Sequence, residues 1–326
     1  MAAKALSIGK PWSWKKFFFQ WEWLLALIFV LVHIINSVIS PWYLNIDTFL
    51  NAPMIFLDKA FIVFPMMMVI ILGKIDISVA SNVALTSVLM AVSYNAGLPM
   101  PLAIVAALLI GTALGGITSL LQIKFPELPA MIVTLSTMTI YRGVAYVILR
   151  DQASGGFPQW FLYFAWGYVG PFPFILVAFV VVAVIFGIAL HKTGFGRTLY
   201  GMGSNYLACK YSGVKTDRIL LIAGLLTGLM CAVCAIFLTS RMGSTRPNVA
   251  LNYELDVIAM VVLGGVSTSG GTGRIAGPLL AVFIIGFLNY GLGLVNISAQ
   301  VNLIILGLLL IVSVLAMNLR SVKSPA

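Results

Sequence analysis

The sequence predicts an all-α fold, a polytopic bundle of about ten transmembrane helices with both termini in the cytoplasm. Three observations carry this. Of 326 residues, 61% are hydrophobic and only 9% are charged, with a mean hydropathy of +1.08, whereas soluble domains carry roughly 25% charged residues. Apolar runs of spanning length recur along the chain, each able to cross a hydrocarbon layer of about 30 Å with its backbone bonded internally. The basic residues fall between those runs, as topology signals do.

In chain order, residues 1–20 form a tail carrying Lys4, Lys10, Lys15 and Lys16. No small-residue cleavage site follows the first apolar run, so it is expected to be retained as a span. The expected spans are 22–39, 55–73, 77–95, 101–123, 128–149, 171–190, 219–240, 254–268, 276–294 and 298–317. Together they make one membrane domain over 21–318, with a cytoplasmic tail over 319–326. Charge interrupts apolar sequence at Gly73-Lys74-Ile75-Asp76, where a broken or re-entrant helix is expected. With the N-terminus inside, most Lys and Arg fall on the cytoplasmic side, while Lys59, Arg142, Arg150, Arg241 and Arg246 fall toward the outer ends. The longest cytoplasmic loop, 191–218, is basic, and Tyr200, Leu207, Ala208 and Tyr211 could line one side of a short helix suited to docking. The outer loop 151–170, rich in Gly, Pro and aromatics, suits chain resting in the interface.

Several function classes are disfavoured. The net charge of +10 is not gathered into an aromatic-laced basic patch, so nucleic acid is not expected as a partner. His33 and His191 have no ligand-spaced partner, so no metal site is expected. Cys231 and Cys234 form a C-x-x-C inside an apolar run and suit helix packing better than redox chemistry; with Cys209 they make three thiols, which cannot close into disulfides. No phosphate-binding G-x-x-x-x-G-K-[ST] occurs, so the chain is not expected to bind ATP or any other cofactor itself. The glycines of 264–277, and the pairs Gly111/Gly115 and Gly224/Gly228, suit tight turns and close helix approach. All nine acids fall at or near run boundaries, which disfavours a carrier coupled to protons or sodium. An enzyme acting on membrane lipids would need clustered acids or metal ligands at one face, and none is apparent. Neutral polar groups do lie inside the runs: Asn82, Thr86, Ser87, Thr134, Ser136, Thr137, Thr139, Tyr141, Asn289 and Tyr290. Such groups need partners in lipid, either one another or a hydroxyl-rich solute, and Asn82, Thr86, Thr134, Ser136, Thr137 and Asn289 are the candidates for a solute pathway.

Five stretches, GKIDISVAS (73–81), PAMIVTLSTMTIYRG (129–143), FGRTLYGMGSNYLACKYSGV (195–214), YELDVIAMVVLGGVSTSGGTG (253–273) and GFLNYGLGL (286–294), together resemble the permease subunits of bacterial ATP-binding-cassette sugar importers of the ribose type. The resemblance covers most of residues 70–295. Departures are Lys74 and Ala80, where the family usually has Gly, and Thr118-Ser119, where it often has Asn-Gly. The resemblance implies a non-enzymatic transport subunit in the bacterial inner membrane that moves a monosaccharide-like or polyol-like solute by alternating access. It implies a second permease chain, identical or related, a periplasmic solute-binding protein, and ATPase subunits that bind ATP and Mg²⁺. Within it, Gly203, Ser204, Asn205, Cys209, Ser212 and Gly213 resemble the segment that docks on the ATPase.

Overall fold

The computed structural model describes residues 21–322, and the expected tail over residues 1–20 lies outside them. The chain is helical throughout, with two short two-stranded ladders on one side. Helix α1 (Trp21–Ile39) is followed by α2 (Ile46–Ala60) and α3 (Val63–Ile71), then α4 (Val79–Asn95), α5 (Met100–Lys124) and α6 (Ala130–Leu149). A connector carries β1 (Ser154–Gly155), a one-turn 3-10 helix (Gln159–Leu162), α7 (Tyr163–Trp166) and the β2–β3 hairpin (Tyr168–Val169 and Phe172–Pro173). It leads into α8 (Phe174–Lys192), the pair α9 (Gly194–Ser204) and α10 (Tyr206–Tyr211), and α11 (Thr216–Met242). Strand β4 (Ser244–Thr245) pairs antiparallel with β1, Ser154 opposite Thr245. Helices α12 (Tyr253–Leu263), α13 (Ala276–Leu294) and α14 (Ala299–Val322) complete the chain.

Among the described residues, α1, α5, α6, α8, α11 and α13 are each long and apolar enough to cross a membrane, and α2 with α3 makes a seventh span if the bent pair is counted as one. The expected ten runs all contain helix, but among the described residues α4 (17 residues), α12 and α14 are not among the helices long and apolar enough to cross, so six or seven spans stand where ten were expected, and two runs also depart in their bounds. The run placed at 55–73 begins at Ile46, because Asn45, Asp47 and Asn51 depress the hydropathy of the first half of a true helix. Its axis bends by 41° at residues 61–62. Pro65 explains the bend: it has no N–H to give the Phe61 carbonyl, and its ring crowds that oxygen. The run placed at 254–268 is helical only over Tyr253–Leu263, 11 residues, and the glycines that follow turn the chain away. The anticipated break at 73–76 is present, with Gly73 at φ 72° ending α3 and Asp76 accepting from the Ser78 amide (2.9 Å) and hydroxyl (2.6 Å) ahead of α4.

Packing follows small residues. The most intimate contact in the bundle is between α5 and α11, where the two anticipated glycine pairs meet. A Cβ on Gly111 would lie 2.7 Å from that of Ala232, and one on Gly115 only 2.6 Å from the Gly228 nitrogen. Backbones can approach this closely only when side chains are absent. Cys231 and Cys234 are fully buried free thiols on α11, packed in the core with α2 and α3, as expected of small packing residues. The core also gathers Phe61 stacked on Phe237 (centroids 5.0 Å) and Phe64 on Phe186 (5.7 Å).

Candidate functional site: a cavity and an exposed helical pair

Two regions carry chemistry, and the interrupted helices α2–α3 and α12 join them. The first is a cavity of about 510 Å³ lined by residues of α2, α11, α12 and α13, among them Phe56, Lys59, Arg241, Tyr253, Asn289 and Tyr290. Adjacent residues at the end of α2 fix its walls. Lys59 forms a buried ion pair with Asp256 of α12. Asp58, 1% exposed at its side chain, accepts from Arg241 of α11 at 2.8 Å and from the Tyr253 hydroxyl at 3.2 Å. A second cavity of about 520 Å³ shares Arg241 and Tyr253 and is otherwise lined by the 244–250 segment, including Arg246 and Asn248. Arg142 of α6 holds that segment by donating to the Pro247 and Val249 carbonyls, both at 2.7 Å.

These ion pairs correct the expectation that the acids sit at membrane ends. Asp58 and Asp256 do lie at helix ends, but the ends are interruptions inside the protein: Asp58 is 1% and Asp256 8% exposed, and Glu254 is equally hidden at 6%. Hydropathy places a boundary wherever charge occurs and cannot distinguish a loop from a buried ion pair.

The sequence-derived pathway candidates separate. Asn82 donates to the Gly111 carbonyl (3.1 Å) and accepts from Thr86 (3.0 Å), linking α4 to α5. Thr134 bonds the Met131 and Ile75 carbonyls, Thr137 the Val133 and Thr134 carbonyls, and the exposed Ser136 the Ile132 carbonyl of its own helix. Among the six, Asn289 lies in the cavity wall, and its Oδ1 is buried with no hydrogen-bond partner among the described residues. Lys59, Arg241 and Tyr253 escaped the sequence reading because they sit in a helix whose first half hydropathy missed, at the end of a span, and in a half-length helix.

The second region is the loop 191–218, which is two helices and not one. Thr193 caps α9 by accepting from the Gly196 amide, and Asn205 caps α10 by accepting from the Ala208 amide at 2.9 Å. Tyr200 therefore does not share a face with Leu207, Ala208 and Tyr211: it turns inward on α9 and donates to the Gly273 carbonyl at 2.6 Å. Burial pushes the Tyr200 phenol up, against the opposing pull of Arg274. On α10, Tyr206, Leu207 and Tyr211 are exposed, Tyr211 at 87%. Gly203 and Ser204 end α9 against the protein, Cys209 is half-buried, Ser212 donates back to the Ala208 carbonyl (2.8 Å), and Gly213 turns the chain at φ 82°. Beside α10, Lys74 donates to Gln122 at 3.2 Å, and burial pulls its pKa down against the opposing effect of Asp217.

Gly203 sits at a close backbone junction of this end. The Gly271 amide donates to the Ile71 carbonyl at 2.9 Å, and Gly203 abuts both. A Cβ there would lie 2.6 Å from the Gly271 nitrogen and nearer still to the Ile71 oxygen. The end of α3, the chain leaving α12 and the end of α9 thus meet backbone to backbone. The glycines of 264–277 do provide the tight turning and close approach expected of them: Gly270 and Gly271 are at φ 88° and 76°, and a Cβ on Gly264 would lie 2.5 Å from the Pro278 Cα.

A multi-helix membrane bundle with interrupted helices, a cavity walled by buried ion pairs and an exposed helical hairpin is an architecture suited to a solute permease. The chain belongs to the family described as the permease component of branched-chain amino acid transport systems, whose model matches residues 48–314. It is similar to the ribose import permease protein RbsC of Haemophilus influenzae (36% identical, covering 94% of this chain and 96% of the relative). The RbsC of Bacillus subtilis is 40% identical over 88% and 89% of the two chains. The autoinducer 2 import system permease protein LsrD of Escherichia coli K12 is 34% identical over 91% of each. No solved structure matches. The chain is thus a multi-pass membrane protein and a transport component.

Proposed function

We propose that this chain is the membrane subunit of an ATP-binding-cassette importer and that it passes a monosaccharide-like or polyol-like solute inward. The observation that carries the reading is the pairing of an exposed two-helix segment, 194–211, with a backbone junction to the interrupted helices, which also wall a cavity framed by buried ion pairs. A subunit that hydrolyses nothing needs such a route to receive work done elsewhere. The ribose and autoinducer 2 relatives favour the solute class.

In this reading, ATP and Mg²⁺ are held by partner subunits, and ATPase docking falls on Gly203, Ser204, Asn205, Cys209, Ser212 and Gly213, with Leu207 and Tyr211 as the apolar contacts. A periplasmic binding protein delivers solute to the outer face, and a second permease chain completes the pathway. Shifts between inward-open and outward-open arrangements follow from nucleotide binding in the partner, because only differential contact with two states can move their balance. The test is copurification of the tagged chain from its native membrane, followed by ATPase assays in lipid with the binding protein and candidate solutes. Recovery of an ATPase stimulated by a sugar or polyol fits; a chain recovered without an ATPase that moves solute on an ion gradient overturns the reading.

A further inference from the structure

A third cavity, of about 360 Å³, opens beside α10 at the end of the bundle that carries the helical pair. Its wall takes Lys74 from the break after α3, Gln122 from the end of α5, Leu128 ahead of α6, Tyr206 and Lys210 from α10, and Asp217 from the start of α11. Lys74 is half-buried, and it donates to a neutral group, the Gln122 amide oxygen, at 3.2 Å. Among the described residues no carboxylate stands within 4 Å of the ammonium of Lys74 or of Lys210. Asp217 shares the wall but is exposed, and it accepts from the Thr216 hydroxyl at 3.4 Å. An ammonium drawn into protein is expected to be paired. Burial works against the Lys74 charge, and Asp217 offsets only part of that, so the cavity has room for an anion and a reason to hold one.

The surroundings favour an anion that belongs to a lipid. Lys124, Lys215 and Arg218 flank the lining residues in sequence, against one further acid, Glu127. Lys124 lies over the Phe125 ring, 5.9 Å from its centroid. Leu128 on the wall is 48% exposed, and an exposed apolar strip continues from it along α6 through Met131, Ile132 and Leu135, the spacing of one helix face. Basic pockets between the ends of membrane helices take anionic headgroups in this way, while the acyl chains follow the apolar surface beside them.

We propose that this cavity binds the phosphate headgroup of an anionic phospholipid, with Lys74 and Lys210 as its cationic contacts and the strip from Leu128 to Leu135 as the bed of an acyl chain. Tyr206 and Lys210 lie one turn apart on α10 and line the cavity, whereas Leu207 and Tyr211 point about 100° round the helix and are exposed at 60% and 87%. A headgroup held on the first face leaves the second free for a partner subunit. Through Lys74 and Lys210 the lipid ties the break after α3 to α10. The proposal does not depend on which solute the chain carries.

The test is native mass spectrometry of the full chain in detergent, titrated with phosphatidylglycerol or with phosphatidylcholine of the same acyl chains. The first phosphatidylglycerol is expected to bind about tenfold or more tightly than phosphatidylcholine, as for one added hydrogen bond to a charged group. Lys74→Gln and Lys210→Gln should each lose about that factor for phosphatidylglycerol, while Lys192→Gln, which removes an exposed lysine at the end of α8 outside the cavity, leaves it unchanged. Asp217→Asn should tighten binding about two- to fivefold by removing a like charge from the wall, a gain that a variant with a damaged fold could not show. A large excess of glycerophosphoglycerol, the headgroup without its chains, is expected to leave the lipid bound. Equal affinity for the two lipids, unchanged affinity in Lys74→Gln, a loss in Lys192→Gln as large as in Lys74→Gln, or weaker binding in Asp217→Asn overturns the assignment. Displacement by glycerophosphoglycerol overturns it too, since the cavity would then be a site for free phosphate esters.

Discussion

Replacing Gly203 by alanine tests whether the docking end drives the interrupted helices. The new Cβ would lie 2.6 Å from the Gly271 nitrogen and nearer still to the Ile71 oxygen, whereas real Cβ contacts stay beyond 3.0 Å. Both neighbours are backbone, so the junction must open by more than about 1 Å and strain or lose the 2.9 Å bond from Gly271 to Ile71. Overpacking costs about 1–3 kcal/mol and a lost hydrogen bond about 0.5–1.5. Alanine's better helix propensity returns up to about 1. The remainder, about 0.5–4.5 kcal/mol and centred near 2.5, corresponds at its centre to roughly a 70-fold loss when it falls on the coupling between two sites. The assay is solute uptake and solute-stimulated ATPase in proteoliposomes with the full importer. Uptake is expected to fall about tenfold or more, while copurification with the ATPase and its solute-independent turnover persist. Gly143→Ala on α6, whose Cβ would meet nothing within 4 Å, is the matched control. If Gly203→Ala transports within about twofold of that control, the junction does not transmit the drive.

Three further outcomes are expected. At the α5–α11 contact, Gly228→Leu should lower the thermal stability of the purified chain by about 3 kcal/mol or more, read from the unfolding midpoint in detergent, because its Cβ would lie within 2.9 Å of the Gly115 nitrogen and the remaining side chain has no space; an unchanged midpoint would refute the close approach. Lys59→Ala should destabilise by about 3–5 kcal/mol by stranding Asp256, and Asp256→Ala in addition should recover much of that loss; additive losses in the double-mutant cycle would show that the pair is not coupled. Maleimide applied to the native fold should modify Cys209 and spare Cys231 and Cys234, which are fully buried; mass spectrometry showing fast labelling of the latter would contradict the packing of α11.

The helical membrane fold was legible from apolar runs because the bilayer imposes length and composition directly, and the glycine pairs of α5 and α11 were legible because small residues at a four-residue spacing have few other uses. The segment 191–218 stood out through its basic, one-sided character, but not its division at Asn205, since one capping side chain decides that. Hydropathy failed where polar groups are satisfied by distant partners: Asp58 and Lys59 look like a boundary until Arg241 and Asp256, nearly 200 residues away, are brought beside them. The same blindness affects single polar residues in spans. Asn82 and Asn289 are indistinguishable in sequence, yet one is bonded to its neighbours and the other opens onto a cavity.

Helix α12 is only 11 residues long, a rise of about 16 Å. Its first turn holds Tyr253 and Asp256 at the cavity, and the chain leaving its last turn reaches the glycine junction. Three turns therefore separate the residues at the cavity from the glycine junction, and in the proposed reading they separate cargo from motor. If the proposed reading holds, substitutions in that first turn and on the facing surface of α13 change cargo preference while the motor attachment stays fixed. A lineage built this way can change what it carries without renegotiating with its engine.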